Sequence, residues 1–335
     1  MSSGQVPNTL RVECIADDIR WVHDEQDLAE QLVHADMNQI PATIVGGGSN
    51  LVLRTRLPGV ALLLKLRGIA FERLGDDDWR IVAAAGEDWQ TVVDGALQRG
   101  IGGLENLTLI PGSVGAAPVQ NIGAYGRELS EFLESVTVFD RQHRCYSTLT
   151  GVQCAFGYRE SVFKRDALNR YVITRLALRV GRTALVTNYP DVARELADHG
   201  GGVDRKTVAD AVAKVRRRKL PDPTRIGNVG SFFKNPVVTE AELDGIRAVV
   251  DIDDYPAPSG TAGRKIPAAR LIDAAGWKGV RKDRVEVWSR QPLVLVNLGG
   301  ATGGEVLDLA AVIRDDVYGK YGVALELEPA VLGSD

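Results

Sequence analysis

The chain is poor in cysteine and histidine and has no long apolar run. Its three cysteines, Cys14, Cys145 and Cys154, form no CxxC pair and are odd in number. A disulfide framework is therefore not expected, which suits a reducing compartment. The four histidines, His23, His34, His143 and His199, show no metal-ligand spacing with one another or with the cysteines, so no metal site is expected. No apolar segment approaches bilayer-spanning length, and the first residues lack an apolar signal core. No membrane association is expected, and the expected location is the cytoplasm. A net charge of −4 over 335 residues removes any electrostatic case for nucleic acid or an anionic surface. There is no internal repeat and no low-complexity tract. The composition, 44% hydrophobic and 25% charged, is that of a soluble globular protein with material for about two or three domains.

The most unusual segment is 104–126, LENLTLIPGSVGAAPVQNIGAYG. It is nearly uncharged, and Gly112, Gly115, Pro118 and Gly123 exclude a regular helix. An ordered connecting loop is the plain reading. The alternative is a backbone that lies against something flat or anionic, because small residues let main-chain N–H groups approach closely. A second glycine segment, GGGSN (46–50), follows the short apolar run ATIV (42–45). It is not a dinucleotide fingerprint, since Leu51-Val52-Leu53 follows and no helix starts. A phosphate nest and a simple turn both remain open. GGATGG (299–304) matches neither GxGxxG nor a P-loop and reads as a helix start.

Periodicity predicts helices over 24–35, 88–100, 203–219, 238–250, 265–276 and 303–322, the last punctuated by Gly319 and Gly322. Strands are predicted at 42–45, 60–66, 79–86, 132–140, 170–180 and 290–297, with an alternating strand over 323–331 that puts Glu326 and Glu328 on one face. The basic run 214–219, KVRRRK, reads as favourable helix termination or as a site for a diphosphate. Pro221 and Pro223 then break the chain, and a domain boundary falls near 219. Arg159, in FGYRESVFK, reads as an ion-pair partner or as a fixed cation beside a ligand. Ser231, in GSFFKNP, has no nearby histidine, no GxSxG elbow and no SxxK, so on its own it reads as structural.

The order of these segments carries more than any one of them. GGGSN, then PGSVGAAPVQNIGAYG, FGYRESVFK, KLPDP, GSFFKNP, KIPAARLID and an LELEP ending resemble the UDP-N-acetylenolpyruvoylglucosamine reductase family. The resemblance runs from Asn8-Thr9 to about Gly333. It implies an α+β fold: a two-subdomain FAD-binding fold of the PCMH/vanillyl-alcohol-oxidase type, with a separate α+β substrate-binding domain. The implied division is 1–67 and 68–218 for the FAD subdomains, 219–324 for the substrate domain, and 325–335 for a strand returning to the active site. Non-covalent FAD would be reduced by NADPH. The reduced flavin would deliver hydride to C3 of the enolpyruvyl sugar nucleotide, with protonation at C2. The segment between 180 and 203, with Tyr189, resembles the loop of the family's long form. A monomer is expected.

The resemblance assigns FAD to Gly46, Gly47, Gly48, Ser49, Asn50, Leu51, Pro111, Gly112, Ser113, Gly115, Ala116, Asn121, Gly123, Ala124 and Arg159. It makes Arg159 the cation that stabilises charge on the enolpyruvyl carboxylate, Ser231 the proton donor to C2, and Glu328 the carboxyl beside the enolic intermediate. Setting the family's LEPE on Leu325 gives Glu328. Another register puts Ala330 there, and Glu326 is the second candidate. Tyr125, Tyr189, Arg216, Lys219, Asn235, Tyr255, Lys278 and Gln291 match substrate-binding positions, with Arg217 and Arg218 expected in solvent. Two residues depart from the family pattern: Trp288, where histidine is frequent, and Arg270, where an aromatic is common. A related flavin oxidase, a sugar-nucleotide-binding protein without catalysis and a paralogue acting on another enolpyruvyl compound stay open. The oxidase often tethers its flavin through histidine, and none lies in either glycine-rich segment.

Overall fold

The computed structural model describes residues 3–165, 169–181, 183–258 and 260–335. The chain forms two compact units, one of 18–47 and 59–218, the other of 3–17, 48–58 and 219–335. Segments 3–17 and 48–58 thus belong to the second unit, although the sequence division 1–67 groups them with the first FAD subdomain.

In the first unit, a five-stranded antiparallel sheet runs in the order Cys145–Thr150, Leu133–Asp140, Tyr171–Val180, Asp78–Ala84, Ile69–Gly75. The two strands predicted at 132–140 and 170–180 are its centre. The helix Trp89–Gln98 buries Trp89, Val92, Val93 and Ala96 against Ile81, Val136, Val138 and Leu176 of this sheet. Asp88 caps its start, and Gly100, at φ +69°, follows its end. Segment 104–126 joins the same core through Leu104, Leu107, Val114, Ala117 and Ile122. A second core forms where Leu28, Leu32 and Ala35 of the helix Glu25–Met37 meet Val60, Leu62 and Leu64. There Ala42–Val45 pairs in parallel with 60–63.

In the second unit, an antiparallel sheet runs Gly227–Ser231, Val294–Asn297, Val285–Val287, Arg281–Lys282. The helix Gly303–Tyr321 has Thr302 and Glu305 as a reciprocal capping box and ends at Gly322, φ +69°. Gly319 lies inside this helix and does not punctuate its end. A small sheet joins Val237–Val238, Arg264–Lys265 and Tyr255–Pro256.

Two strand expectations are corrected. The strand predicted at 290–297 begins only at Val294, because 288–294 is a turn in which Gln291 N donates to Trp288 O and Val294 N to Gln291 O. The alternating strand predicted over 323–331 reduces to Ala330–Leu332, which pairs in parallel with Leu51–Leu53, and an isolated bridge from Leu327 to Phe233. Pro329, lacking an N–H, stands between the two pairings. The helix Pro190–Ala197 was not predicted, although Pro190 at its first position was a start signal. Among the described residues no helix is long and apolar enough to cross a membrane, and no cluster of histidine, cysteine, aspartate and glutamate suits a metal ion.

Candidate functional site

In the first unit, the two glycine segments press against each other. A Cβ on Gly47 would lie 3.0 Å from Gly112 Cα and 3.2 Å from Ser113 N, and one on Gly46 would strike Ser113 Oγ. Gly115 is pinned by Ala85, whose Cβ would be 2.6 Å from a Cβ at 115. Trp89 N donates to Gly112 O, Val114 N to Glu87 O and Gly115 N to Ala85 O, so the loop is fixed on one side. The N–H groups of Gly47, Gly112 and Ser113 have no acceptor among the described residues. Neighbouring unsatisfied amide donors in a cradle of small residues fit the oxygens of a dinucleotide diphosphate. These residues therefore fit FAD, while the tight glycine packing itself is between protein backbones.

Beyond this loop the backbone is strained at residues that carry side chains. Asn121, Tyr125 and Arg159 have φ of +45°, +48° and +55°. Asn121 is buried. Its amide donates to Glu128 Oε2 (2.8 Å) and Gly157 O (3.2 Å), and its Oδ1 accepts from Ser130 N (2.9 Å). It ties the 121–130 turn to the turn that carries Arg159. The Arg159 guanidinium donates to Gly123 O at 2.9 Å and lies 5.3 Å from the Tyr158 ring centroid. Pro111 is exposed, Ala116 closes the short helical turn Val114–Ala116, and Ala124 pairs with Arg127.

The same unit brings Tyr125, Tyr189 and Arg216 together. The two rings meet edge to face, centroids 5.2 Å apart. Arg216 and Tyr125 shift each other's titration. Burial lowers the Arg216 pKa, opposed by Tyr125; burial raises that of Tyr125, opposed by Arg216. Behind them Val192, Val208, Ala211 and Val212 form a small core. Arg217 is exposed, and Arg218 pairs with Glu195, as Lys214 does at 3.2 Å. Asn106 escaped the sequence reading. It is fully buried and donates to both Tyr125 O (2.9 Å) and Val186 O (3.0 Å), which joins segment 104–126 to the segment leading to Tyr189.

In the second unit, Gly48 has φ +63°, and a Cβ there would lie 2.5 Å from Pro7 O. Ser49 and Asn50 follow, and Leu51 opens the strand that pairs with Ala330. Ser231 ends the strand Gly227–Ser231 and is half-buried. The C-terminal segment runs beside the residues after it: Glu328 N donates to Phe232 O (3.0 Å), and Lys234 N to Glu326 O (2.9 Å). Asn50 Nδ2 lies 3.4 Å from Glu328 O. The two glutamates, expected on one face, differ in surroundings. Glu328 is 9% exposed, whereas the Glu326 side chain is 73% exposed and pairs with Lys234 at 3.2 Å.

The remaining candidates lie on separate elements of this unit. Asn235 Oδ1 accepts from Ala268 N (3.0 Å), the first residue of the helix Ala268–Ala274. Tyr255 is 40% exposed, Lys278 Nζ is 3.3 Å from Asp273, and Gln291 sits in the turn at 288–294. Lys219 presents its carbonyl to Trp288 Nε1 (3.0 Å), which gives the departure at 288 a structural use. Arg270 donates to Asp251 O at 2.7 Å. All three cysteines are free thiols. Burial raises the pKa of Cys14 and pushes that of Cys154 to about 12, so neither is a ready nucleophile at neutral pH.

Known proteins agree with this layout. Residues 17–146 match the family model of the FAD binding domain, and residues 222–332 that of the C-terminal domain of UDP-N-acetylenolpyruvoylglucosamine reductase. The chain is 44% identical over 309 residues to the UDP-N-acetylenolpyruvoylglucosamine reductase of Burkholderia lata, covering 90% of this chain and 88% of that one. It is 47% identical over 294 residues to the enzyme of the same name from Burkholderia mallei, covering 86% and 84%. The crystal structure of the reductase (MurB) from Thermus caldophilus has the same fold, with a TM-score of 0.68 at 23% identity, covering 99% of this chain and 100% of that one. The chain belongs to the UDP-N-acetylenolpyruvoylglucosamine reductase family.

Proposed function

We propose that this chain reduces UDP-N-acetylglucosamine enolpyruvate to UDP-N-acetylmuramate with NADPH, as a step in making peptidoglycan precursors. The observation that carries the reading is the pairing of 326–328 with 232–234. It sets a buried carboxyl, Glu328, in the segment that runs beside Ser231. FAD, when bound, would supply the hydride chemistry that links NADPH to C3 of the enolpyruvyl group. Unsatisfied amides of Gly47, Gly112 and Ser113 would hold its diphosphate. Arg159, fixed on Gly123 O, stabilises the charge that grows on the enolpyruvyl carboxylate. Ser231 gives a proton to C2; its hydroxyl is a weak acid, but the carbanion it meets is strongly basic. Glu328 rather than Glu326 is the carboxyl beside the enolic intermediate, because burial magnifies its field and solvent screens the other.

The protein is of the long form, with Tyr189 closing over the sugar nucleotide. Arg216 and Lys219 face its diphosphate, and Asn235, Tyr255, Lys278 and Gln291 complete the binding surface. The chain works as a cytoplasmic monomer, with FAD subdomains 1–67 and 68–218, a substrate domain 219–324 and a returning segment 325–335. The test is to purify the protein, record its flavin absorbance, and follow NADPH oxidation with and without the enolpyruvyl sugar nucleotide. Substrate-dependent oxidation with formation of the lactyl ether is expected. A protein unable to bind FAD, or one that oxidises NADPH with oxygen regardless of substrate, overturns the proposal.

A further inference from the structure

We infer that Thr9 is a positioning residue for Ser231, acting through Asn228; the inference rests on Ser231 being the proton donor. The strand that ends in Ser231 does not pair evenly. Gly227 faces Asn297 and Asn228 faces Val296, but Ser231 faces Val294, so this edge holds one residue more than its partner. Gly230, at φ +72°, absorbs the extra residue. Such a bulge decides where the next side chain points, since a one-residue slip turns a strand side chain to the opposite face. The direction of the Ser231 hydroxyl therefore depends on this bulge.

Asn228 holds the bulge. It is 5% exposed, and its Oδ1 accepts from Gly230 N at 3.1 Å. Its Nδ2 donates to Pro221 O (3.1 Å) and Ile226 O (2.9 Å), which joins the bulge to the proline turn before it. Thr9 clasps Asn228 from the other side. Thr9 Oγ1 donates to Asn228 O at 2.7 Å, and Asn228 N donates to Thr9 O at 3.0 Å. Thr9 N also donates to Gly48 O at 3.1 Å, in the glycine turn, and the Thr9 hydroxyl has that same oxygen as a longer second acceptor at 3.4 Å. One hydroxyl thus completes a backbone clasp at the residue that sets the bulge, three positions before Ser231. Replacing it with a methyl group leaves an acceptor unmatched and loosens the aim of Ser231 without touching any group that reacts.

The experiment uses the full-length, FAD-loaded protein and follows each half-reaction by rapid-mixing flavin absorbance. Thr9→Val, Thr9→Ser, Ser231→Ala and the Thr9→Val/Ser231→Ala double variant are compared. Thr9→Val is expected to slow reoxidation of the reduced flavin by the enolpyruvyl sugar nucleotide about ten-fold. It should also raise the solvent deuterium isotope effect on that step, because proton delivery from a poorly aimed donor limits the rate more. Flavin reduction by NADPH should stay within about two-fold, Thr9→Ser should restore the rate, and Thr9→Val should add nothing in the Ser231→Ala background.

Equal losses in both half-reactions, an independent loss in the double variant, or an unchanged isotope effect overturns the inference. A wild-type rate for Thr9→Val beside a slow Ser231→Ala overturns it alone. A wild-type rate for Ser231→Ala overturns the reading of Ser231 as proton donor and the inference with it. Thr9→Ala removes the same hydroxyl in a smaller side chain and takes over if Thr9→Val does not fold.

Discussion

The two units hold their candidate residues by different means. In the first, the backbone is the working part: glycines packed on glycines, unsatisfied amides, and left-handed residues at Asn121, Tyr125 and Arg159. In the second, side-chain amides shape the strands: Asn228 holds a bulge, Asn235 holds a helix start, and buried Asn297 accepts from Gly299 N and Ala301 N while donating to Leu10 O and Arg11 O. The difference follows from what each part is proposed to hold. A diphosphate and a flat ring need close main-chain approach, whereas proton delivery needs one hydroxyl and one carboxyl aimed at a single carbon.

The largest expected effect separates the two parts by half-reaction. Ser231→Ala should slow flavin reoxidation by the enolpyruvyl substrate by roughly 10²- to 10⁴-fold and leave reduction by NADPH nearly intact, as read by flavin absorbance. Equal loss in both steps would erase the distinction. Next, Glu328→Gln should slow reoxidation by about 10²-fold or more, while Glu326→Gln should change it by less than about two-fold, since an exposed pair with Lys234 contributes about 1 kcal/mol or less. Similar effects of the two substitutions would refute the choice of Glu328.

Glycine substitutions test the backbone side of the comparison. Gly47→Ala should destabilise the protein by about 1–3 kcal/mol and weaken FAD retention, because the added Cβ meets backbone at 3.0 Å. Gly245→Ala, in the helix Glu240–Arg247 with nothing within 4 Å of the new Cβ, should raise stability by about 0.5–1 kcal/mol. Thermal unfolding with and without added FAD checks both; equal costs would show that the tight loop is not special.

The smallest effect is a control in the scaffold. Arg170 and His143 beside Asp140 hold its carboxyl well below the usual aspartate range. Because the folded pKa is the lower one, this carboxylate stabilises the fold above the unfolded value of about 3.9, and that contribution is lost as pH falls through the folded value. Asp140→Asn should lower stability near neutrality and flatten its dependence on pH below about 4, measured as urea midpoints across pH.

What could be read from the chain follows the same divide. The glycine segments, the helices 89–98, 205–219 and 303–321 and the central strands announce themselves by composition or period. The C-terminal segment was misread because alternation does not register that Pro329 interrupts pairing or that Glu326 stays in solvent. The Thr9–Asn228 and Asn106–Val186 bonds gave no signal, since they join lone polar residues to partners far along the chain. The order of motifs picked out Ser231 as a candidate, but only the pairing with 294–297 reveals the bulge that precedes it.

Tyr125 and Arg159 occupy backbone conformations that glycine adopts more easily, and glycines stand nearby at 126 and 157. Holding a bulky side chain in such a conformation costs about 1–3 kcal/mol. A selection for heat resistance alone would therefore favour glycine at 125 or 159 wherever the lost side-chain packing is smaller than the strain relieved. If Tyr125 and Arg159 have the roles proposed for them, it would then return hardier, inactive proteins, so any thermostabilisation of this enzyme needs to screen turnover alongside melting temperature.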